Sequence, residues 1–312
     1  MPTYTESVTH YRSSDGVHAI RACFFAPKGA PRAIVQIVHG MTEHIGRYHR
    51  LAEALTDAGF VVCGNDHLGH GGSVNSADEY GFFAKKDGVT HVLRDVRKMT
   101  LLARKRYPDL PFFLLGHSMG SMFARLYAVR CPHDIDALIC LGTTGTQKLL
   151  PLGEGLAAAL DAAKGSHYRS ALLTKTAFRG YCSRCAPEEG PKAWVSRDRS
   201  VVAEGYGDAS RNFIFTASAY RDLFKLIRLI NADAWYRAYP VDLPTFLASG
   251  MEDPVGGYGV GVREVADKLL RRGVKDLSFY LYPDVRHELH NDPDAPIFFE
   301  DLLEWMEVVL RS

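Results

Sequence analysis

Short apolar runs alternate with amphipathic helical patterns along most of this chain, and this alternation limits the fold more than any other feature. Continuous apolar runs predict buried parallel strands at 33–40, 60–66, 111–116, 136–142, 244–250 and 277–283. Helical spacing of apolar residues predicts helices near 46–59, 89–106, 118–130, 261–272 and 296–311. Because strands and helices alternate, we expect an α/β fold with a mostly parallel central sheet and helices on both faces.

Two segments depart from this alternation. The first is an N-terminal pair of alternating runs around the Asp-Gly dipeptide at 15–16, which predicts a β-hairpin. The second, residues 143–238, contains helical patches but no strand-like run. Helices inserted between two strands of a parallel sheet usually lie over the carboxyl ends of the strands, where such sheets bind ligands. We therefore predict a core formed by 1–142 and 239–312, with 143–238 as a helical cap.

Composition and charge exclude several classes of protein. Hydrophobic residues make up 46% and charged residues 23% of 312, which is enough apolar material for a sizeable core. The net charge of +1 gives no overall basic field to hold a nucleic acid. The polar N-terminus does not resemble a signal peptide, and no apolar stretch is long enough to span a bilayer. We expect a cytoplasmic protein that does not bind nucleic acid.

The cysteines and histidines do not show metal-binding spacing. Cys182 and Cys185 form the only C-x-x-C among six cysteines, and a zinc site would need two further ligands. A thioredoxin-like motif needs a different local fold, so we interpret the pair as reduced loop thiols. Several histidines lie between 39 and 117, but no H-E-x-x-H pattern occurs among them. We therefore expect no metal site.

A serine lies between two glycines where a predicted strand meets a predicted helix. The segment GHSMG at 116–120 fits G-x-S-x-G in the strand–turn–helix setting that a nucleophile elbow requires. Glycines on either side would let the strand and the helix approach without Cβ clashes. A serine that only caps a helix would not need both glycines. We therefore predict that Ser118 is a nucleophile.

A serine nucleophile needs a basic histidine and an acid that orients it, because its hydroxyl is weakly reactive at neutral pH. Where the serine lies on an elbow, the acid and then the histidine follow on loops after later strands. Asp253 lies three residues beyond the strand 244–250, and His287 lies four residues beyond the strand 277–283. We predict these two residues as the partners of Ser118.

Each partner has a neighbouring rival. Glu252 precedes Asp253, but the Asp-Pro pair suits a fixed turn better. His290 lies nearer the final helix than His287, and we expect it to face solvent or to support the site indirectly. The preferred catalytic residues are therefore Ser118, Asp253 and His287.

Acyl transfer also needs donors for the oxyanion that develops on the carbonyl oxygen. One donor is expected to be the backbone N–H of Met119, the residue after the nucleophile. The other is expected from the loop after the strand 33–40, and the N–H of Met41 is the best candidate there. The adjacent Gly40 would allow close backbone approach.

Several motifs in this order resemble the monoacylglycerol lipases and bacterial lysophospholipases of the α/β-hydrolase superfamily. The resemblance is carried by HGMTEHIGRY (39–48), DHLGHGGS (66–73), GHSMGS (116–121), SGMEDPVGG (249–257) and RHELHND (286–292). Within the predicted cap, WVSRD (194–198) and FIFTASAY (213–220) are also similar. The chain departs from the pattern at Met41, where relatives are expected to carry a small residue. That side chain would narrow the acyl pocket.

The resemblance implies an α/β-hydrolase fold and a serine hydrolase that needs neither a metal nor an organic cofactor. It implies ester hydrolysis of single-chain lipids, monoacylglycerols or lysophospholipids, through an acyl-enzyme. It assigns Ser118 as the nucleophile, Asp253 and His287 as its partners, and Met41 and Met119 as oxyanion donors. Other readings are a short-chain carboxylesterase, a proline-releasing peptidase that grips an amine through Glu188-Glu189, and a ligand-binding homologue without turnover.

The excess of basic residues in the predicted cap indicates which substrates or surfaces it could attract. Residues 143–230 contain 13 Lys and Arg against 8 Asp and Glu, a net of +5. A basic cap would favour phosphate head groups or a transient contact with an anionic membrane surface, although a solvated face accounts for the same excess. The expected partner is a small ester or lipid, and the sequence does not indicate an oligomeric state.

Overall fold

The computed structural model describes residues 4–312. In this part of the chain, eight strands form one sheet in the order β1-β2-β4-β3-β5-β6-β7-β8. The strands are β1 Thr5–Arg12, β2 Ala19–Ala26, β3 Ala33–Val38, β4 Phe60–Asn65, β5 Phe112–His117, β6 Ala137–Leu141, β7 Thr245–Gly250 and β8 Leu277–Tyr282. The strands from β3 to β8 run parallel, and β1 and β2 are antiparallel to their neighbours. The predicted mostly parallel sheet is confirmed.

Ten α-helices connect and cover the strands in the described residues. They are α1 His49–Asp57, α2 Gly88–Arg106, α3 Met119–Arg130, α4 Leu150–Lys164, α5 Ala171–Ala177, α6 Arg199–Gly207, α7 Ala217–Asn231, α8 Asp233–Ala238, α9 Val260–Arg272 and α10 Ala295–Arg311. The five helices predicted between strands correspond to α1, α2, α3, α9 and α10. Helix α1 begins later than predicted, because a 3-10 turn at Ile45–Tyr48 precedes it. The N–H of Ile45 donates to Asp66 Oδ1 at 2.9 Å and fixes that turn.

The predicted N-terminal hairpin is also present. β1 and β2 pair antiparallel, and the turn between them contains Gly16 with a φ of 77°. The carboxylate of Asp15 accepts the N–H groups of Val17 and His18 at 2.8 and 3.0 Å, which closes the turn. β2 then pairs with β4, so the hairpin extends the sheet at one edge.

Alternate residues of the central strands divide between two hydrophobic cores, one on each face of the sheet. All residues of β3 to β7 are buried, as expected for parallel strands covered on both sides. In β3, Ile34 points into the core under α2, α3, α7 and α9, and Val35 points into the core under α1 and α10. At the far edge, β8 is only partly buried. The prediction of buried strands is therefore confirmed for β3 to β7 and wrong for β8, which is the edge strand and has only one neighbour in the sheet.

Five helices, α4 to α8, lie between β6 and β7 and form what we call the insertion, residues 143–238. The structure describes all of this segment, and none of it forms a strand of the sheet. Helix α4 packs on α7, and α7 packs on α2 and α3 of the core. The apolar face of α7 therefore anchors the insertion to the helices that cover the sheet.

A buried arginine ties both ends of the insertion to α3. Arg125 is 1% exposed and donates to the carbonyl oxygen of Thr144 at 2.9 Å, where the insertion begins. It also donates to the carbonyl oxygen of Ile230 at 2.7 Å, in the last turn of α7. Its guanidinium lies 4.6 Å from the ring centre of Trp235 in α8. No carboxylate of residues 4–312 forms an ion pair with Arg125. The partial negative charge at the C-terminus of α7 therefore stabilises the buried guanidinium.

No helix in residues 4–312 combines the length and apolar character that a membrane span needs.

Candidate active site

Ser118 lies on a strained turn between β5 and α3. Its φ and ψ are 55° and −123°, which a residue with a Cβ rarely adopts. A Cβ at Gly116 would lie 2.4 Å from the carbonyl oxygen of Gly120, and one at Gly120 would lie 1.8 Å from that of Val38. The N–H of Ser118 donates to the carbonyl oxygen of Leu141 at 2.9 Å. Gly116 therefore lets β5 and α3 approach each other, as the sequence predicted, and Gly120 lets α3 pack against β3.

Asp253 and His287 are in contact on neighbouring loops, after β7 and β8. His287 Nδ1 lies 2.9 Å from Asp253 Oδ1, and both side chains are buried. The two atoms are close, but a hydrogen on Nδ1 would not point at the carboxylate oxygen, so the hydrogen bond is not aligned. Catalytic hydrogen bonds often align only when substrate is bound. Asp253 also accepts from the hydroxyl of Ser249 at 3.0 Å and from the N–H of Val255 at 2.9 Å. These bonds hold the carboxylate towards the imidazole.

The environment keeps Asp253 ionised. Burial alone would raise the pKa of Asp253, but the close approach of His287 and the hydrogen bonds from Val255 and Ser249 outweigh it. The pKa of Asp253 is therefore lowered from its ordinary value. An ionised carboxylate can hold the imidazole in the tautomer with hydrogen on Nδ1, which leaves Nε2 free to act as a base.

Glycines on two loops bring the predicted site residues together. A Cβ at Gly40, after β3, would lie 3.0 Å from Ser118 Cβ. A Cβ at Gly142, after β6, would lie 3.0 Å from the ring of His287 and 3.2 Å from Asp253 Oδ2. The loops after β3, β5, β6, β7 and β8 thus meet at the carboxyl edge of the sheet. Their convergence places Ser118, Asp253 and His287 at one site.

The two predicted oxyanion donors belong to residues that follow Ser118 and Gly40 in the chain. Met119 is the first residue of α3, where backbone N–H groups have no partner within the helix. Met41 follows Gly40, which approaches Ser118 closely, and its partly buried side chain packs against the hydrophobic core. Both backbone N–H groups are therefore positioned near the nucleophile.

The two rival residues have other environments. Glu252 forms an ion pair with Arg184 of the insertion at 3.0 Å, away from His287. Of the two roles expected for His290, exposure to solvent is wrong, because its side chain is completely buried, and indirect support of the site stays a prediction. Its ring stacks on that of Tyr48 at 4.6 Å. Burial and the charge of the nearby His117 lower the pKa of His290 to about 3, so its ring is neutral.

A buried charged cluster behind the nucleophile was not predicted, and we call it the Glu43 network. Glu43 Oε1 accepts hydrogen bonds from the N–H of Gly40 and from the hydroxyl of Tyr48, the latter at 2.8 Å. Arg47 donates to Glu43 at 3.1 Å and to both carboxylate oxygens of Glu288 at 2.5 and 2.8 Å. The network therefore joins the loop that carries Met41 to the loop that carries the candidate base.

His117 completes the Glu43 network. Its Nδ1 lies 3.2 Å from Glu43 Oε1, and its Nε2 lies 3.3 Å from the carbonyl oxygen of His287. Glu43 and Arg47 are four residues apart, a spacing at which an acid–base pair could have been suspected. Glu288 lies 241 positions from Arg47, so no local pattern connects it to them.

The insertion covers the candidate base. The N–H groups of His287 and Glu288 donate to the carbonyl oxygens of Trp194 and Val195 at 3.4 and 2.8 Å. The ring centres of Trp194 and His287 are 5.1 Å apart. Arg286 donates from the core to the carbonyl oxygen of Ala193 at 2.9 Å. Residues 193–195 therefore form a rim that is bonded to the loop carrying His287.

The other histidines near the site form packing and backbone contacts. His39 Nε2 accepts from the N–H of His67 at 2.9 Å, and their ring centres are 3.9 Å apart. Burial lowers the pKa of His67 to about 3 and that of His70 to about 4, so both rings are neutral. No group of three or more His, Cys, Asp or Glu side chains in residues 4–312 has a metal-binding arrangement.

The chain is similar to known hydrolases over most of its length. The model of the serine aminopeptidase S33 family matches residues 29–294. A monoglyceride lipase homolog from monkeypox virus is 35% identical over 87% of this chain and 87% of its own. A monoacylglycerol lipase from Mycolicibacterium smegmatis is 27% identical over 93% of this chain and 94% of its own. The crystal structure of a thermostable carboxyl esterase from Bacillus coagulans, in complex with glycerol, matches with a TM-score of 0.92 and 29% identity, covering 98% and 99% of the two chains.

Proposed function

This chain belongs to the serine aminopeptidase S33 family of α/β hydrolases, and we propose that it hydrolyses single-chain lipid esters through Ser118, His287 and Asp253. Its relatives support a carboxylic ester hydrolase of the monoacylglycerol lipase type. The observation that carries the catalytic proposal is the strained turn at Ser118 beside the buried pair of Asp253 and His287.

The proposed reaction is a two-step acyl transfer. Ser118 Oγ attacks the ester carbonyl while His287 Nε2 takes its proton, and the same proton then goes to the departing alcohol. In the second step His287 takes a proton from water, whose oxygen attacks the acyl-enzyme carbonyl, and the same proton then goes to Ser118 Oγ as its bond to the acyl group breaks and the acid is released. Asp253 stabilises the imidazolium that forms in each step without taking its proton.

The N–H groups of Met41 and Met119 are the proposed oxyanion donors. The N-terminus of α3 carries partial positive charge, which favours an anion at Met119. Glu43 accepts from the N–H of Gly40, in the peptide just before the one that carries the Met41 N–H. The Met41 peptide itself is contacted at the carbonyl oxygen of Gly40, which lies 2.8 Å from His39 Nδ1. Donors that are already in place stabilise the tetrahedral intermediate without reorganisation.

Monoacylglycerols are the substrate class that the relatives favour, and lysophospholipids are the second candidate. The monoacylglycerol proposal rests on two relatives that align over most of this chain, one named as a monoacylglycerol lipase and one as a monoglyceride lipase homolog. The lysophospholipid candidate rests on the basic insertion, with its net charge of +5 between residues 143 and 230. High salt would reduce turnover of an anionic lipid if that charge recruits it.

We also propose that the insertion is a cap that controls access to the site, with 1–142 and 239–312 as the core. Its rim covers His287, and the side chains of Leu149, Leu152 and Leu172 on and beside α4 and α5 are more than half exposed. Exposed leucines on a basic segment suit a transient contact with a membrane surface that holds the substrate. A cytoplasmic location stays a prediction.

The proposed alternatives differ in what they require. An amine-gripping peptidase would need free carboxylates at Glu188 and Glu189, but Glu189 pairs with Arg286 at 2.9 Å. A short-chain carboxylesterase would share the catalytic residues and differ in acyl length, because Met41 would close the pocket. A ligand-binding homologue would have no use for an ionised Asp253 held against His287.

The test is hydrolysis of p-nitrophenyl esters of increasing chain length, monoacylglycerols and lysophospholipids by wild type, Ser118→Ala and Ser312→Ala. Ser312 is exposed at the C-terminus and serves as the matched control. We expect Ser118→Ala to lose at least about 10⁴-fold in kcat while Ser312→Ala keeps wild-type rates. Full esterase activity in Ser118→Ala would refute the assignment. Absence of turnover on every ester, with a fluorophosphonate still bound at Ser118, would leave the nucleophile in place and overturn the substrate class.

A further inference from the structure

The hydrogen-bonding surroundings of His117 define its protonation state. Its Nε2 faces the carbonyl oxygen of His287 at 3.3 Å, and a carbonyl oxygen can only accept. Its Nδ1 faces the carboxylate oxygen Oε1 of Glu43 at 3.2 Å, which also accepts when ionised. Both ring nitrogens therefore need a hydrogen.

Tyr48 supports the same conclusion. Its hydroxyl lies 2.8 Å from Glu43 Oε1 and 3.2 Å from His117 Nδ1. The single hydroxyl hydrogen goes to the carboxylate at the shorter distance, so an oxygen lone pair faces the histidine. Nδ1 then meets two acceptors and no donor.

Charge balance in the Glu43 network also favours a protonated, positively charged His117. Glu43 and Glu288 are both buried, and Arg47 supplies only one positive charge for the two carboxylates. A second positive charge at His117 would neutralise the cluster, which a low-dielectric interior favours. Burial by itself lowers the pKa of His117, but the hydrogen bond and charge of Glu43 and the charge of Glu288 outweigh it and raise that pKa.

The other titratable groups around His117 leave that proton in place. His290, 4.9 Å away between ring centres, is neutral, as its lowered pKa shows. The ring centre of His287 lies 4.7 Å from that of His117, and the backbone carbonyl oxygen of His287 faces His117 Nε2. Burial, Glu43 and Glu288 raise the pKa of Tyr48, so its hydroxyl keeps its hydrogen.

We propose that His117 is a buried imidazolium and a positioning residue, which joins the oxyanion loop at Glu43 to the backbone of the candidate base His287. Through Glu43 it acts on the N–H of Gly40, in the peptide just before the one that carries the Met41 N–H, and through its Nε2–H it holds the carbonyl of His287. Its hydrogen-bond contacts are with Tyr48, Glu43 and the backbone carbonyl oxygen of His287, so it acts through these residues. The positioning role rests on the proposed function, but the charge state of His117 does not.

Because His117 connects the two loops only while it is protonated, the geometry of the site should be lost at high pH. A histidine whose folded pKa is raised stabilises the fold fully below its unfolded value of about 6.5, and the contribution is lost as pH rises through the folded pKa. Loss of the proton from Nδ1 would place its lone pair against Glu43 Oε1. The two loops would then lose their connection, which lowers kcat more than it changes KM.

The charge state is tested by ¹⁵N NMR of histidine-labelled wild-type protein at neutral pH. We expect both ring nitrogens of His117 to resonate in the range of protonated nitrogens, with the assignment made by loss of these signals in His117→Gln. If that variant does not fold, correlations from the ring to its own backbone assign the signals in wild type. One ring nitrogen in the unprotonated range would overturn the proposal.

The positioning role is tested by the pH dependence of kcat on an ester. Glu43→Gln keeps the shape and the acceptor oxygen but removes the charge, so we expect the alkaline limb to move down by about 1–3 pH units. His117→Gln is expected to lower kcat about ten-fold to a hundred-fold and to abolish that limb. His133→Gln, which removes an exposed histidine of the same chain, serves as the matched control and should keep the wild-type profile.

The two kinds of failure can be told apart. An alkaline limb that is unchanged in folded Glu43→Gln would refute the positioning role. If wild type hydrolyses no ester, the proposed function fails, and the ¹⁵N signals of His117 still decide its charge.

Discussion

Replacement of Arg125 by methionine removes the contact that joins both ends of the insertion to α3. The guanidinium donates to the carbonyl oxygens of Thr144 and Ile230, and it also contacts the hydroxyl of Tyr236 at 3.4 Å. Methionine fills a similar volume against Trp235 but donates no hydrogen bond. The perturbation is therefore the loss of donors at a buried position, with little loss of packing.

The magnitude follows from the two short bonds to backbone. A buried carbonyl left without a donor costs about 1–3 kcal/mol, and two are left here. Loss of the cation–π contact with Trp235 adds to the cost, by up to about 2 kcal/mol for a desolvated pair. Removal of a buried cation also removes its own desolvation penalty, which offsets part of this. We expect Arg125→Met to lower the free energy of unfolding by about 2–5 kcal/mol.

Urea unfolding of wild type, Arg125→Met and Arg130→Met measures this difference. Arg130 is exposed at the end of the same helix, so its replacement should change the free energy of unfolding by less than about 0.5 kcal/mol. Arg125→Lys, which can reach only one of the two carbonyls well, should fall between wild type and Arg125→Met. Hydrogen exchange should be faster near Thr144 and in α8. A folded Arg125→Met within about 0.5 kcal/mol of wild type would refute the reasoning.

Three further predictions concern the site and use two variants. Asp253→Asn should lower kcat by about 10⁴-fold on a short ester, because the imidazole loses the acceptor that fixes its tautomer. Since the folded pKa of Asp253 lies below its ordinary value, its stabilising effect is present above that ordinary value and is lost as pH falls through the folded pKa. The difference in melting temperature between wild type and Asp253→Asn should therefore shrink in acid, and a constant difference would contradict this. Met41→Ala should move the optimum of a p-nitrophenyl ester series to longer chains, because the side chain is removed while the backbone N–H stays; an unchanged optimum would show that Met41 does not line the pocket.

Most of the fold was predictable because its determinants are local. β3 to β7 are buried on both faces, so each is a continuous apolar run that can be recognised without knowing its neighbours. The turn at Ser118 was predictable because close backbone approach demands glycine at 116 and 120. The contact of Asp253 with His287 followed from the order of loops along a parallel sheet, which requires no pairwise information.

The Glu43 network could not be predicted, because its members meet only after the sheet has formed. Arg47 and Glu288 come from opposite ends of the chain, and nothing in either local sequence selects the other. The same holds for His290, whose place near the final helix favoured exposure to solvent or an indirect role. Its burial depends on Tyr48, which stacks on it from the turn before α1. Contacts between side chains of distant loops therefore cannot be predicted from the periodicity of the sequence.

The bonds between the rim and the loop after β8 limit how far the insertion is an exchangeable part. Besides the contacts of residues 193–195, Arg197 donates to Asp292 at 3.0 Å and also pairs with Asp294 at 2.5 Å. Ser196 donates to the carbonyl oxygen of Asn291 at 3.1 Å. A chimera that takes residues 143–238 from another hydrolase would therefore leave several polar groups of 286–294 without partners. A chimera should therefore exchange the insertion together with the loop 286–294, and this exchange would include the candidate base, His287.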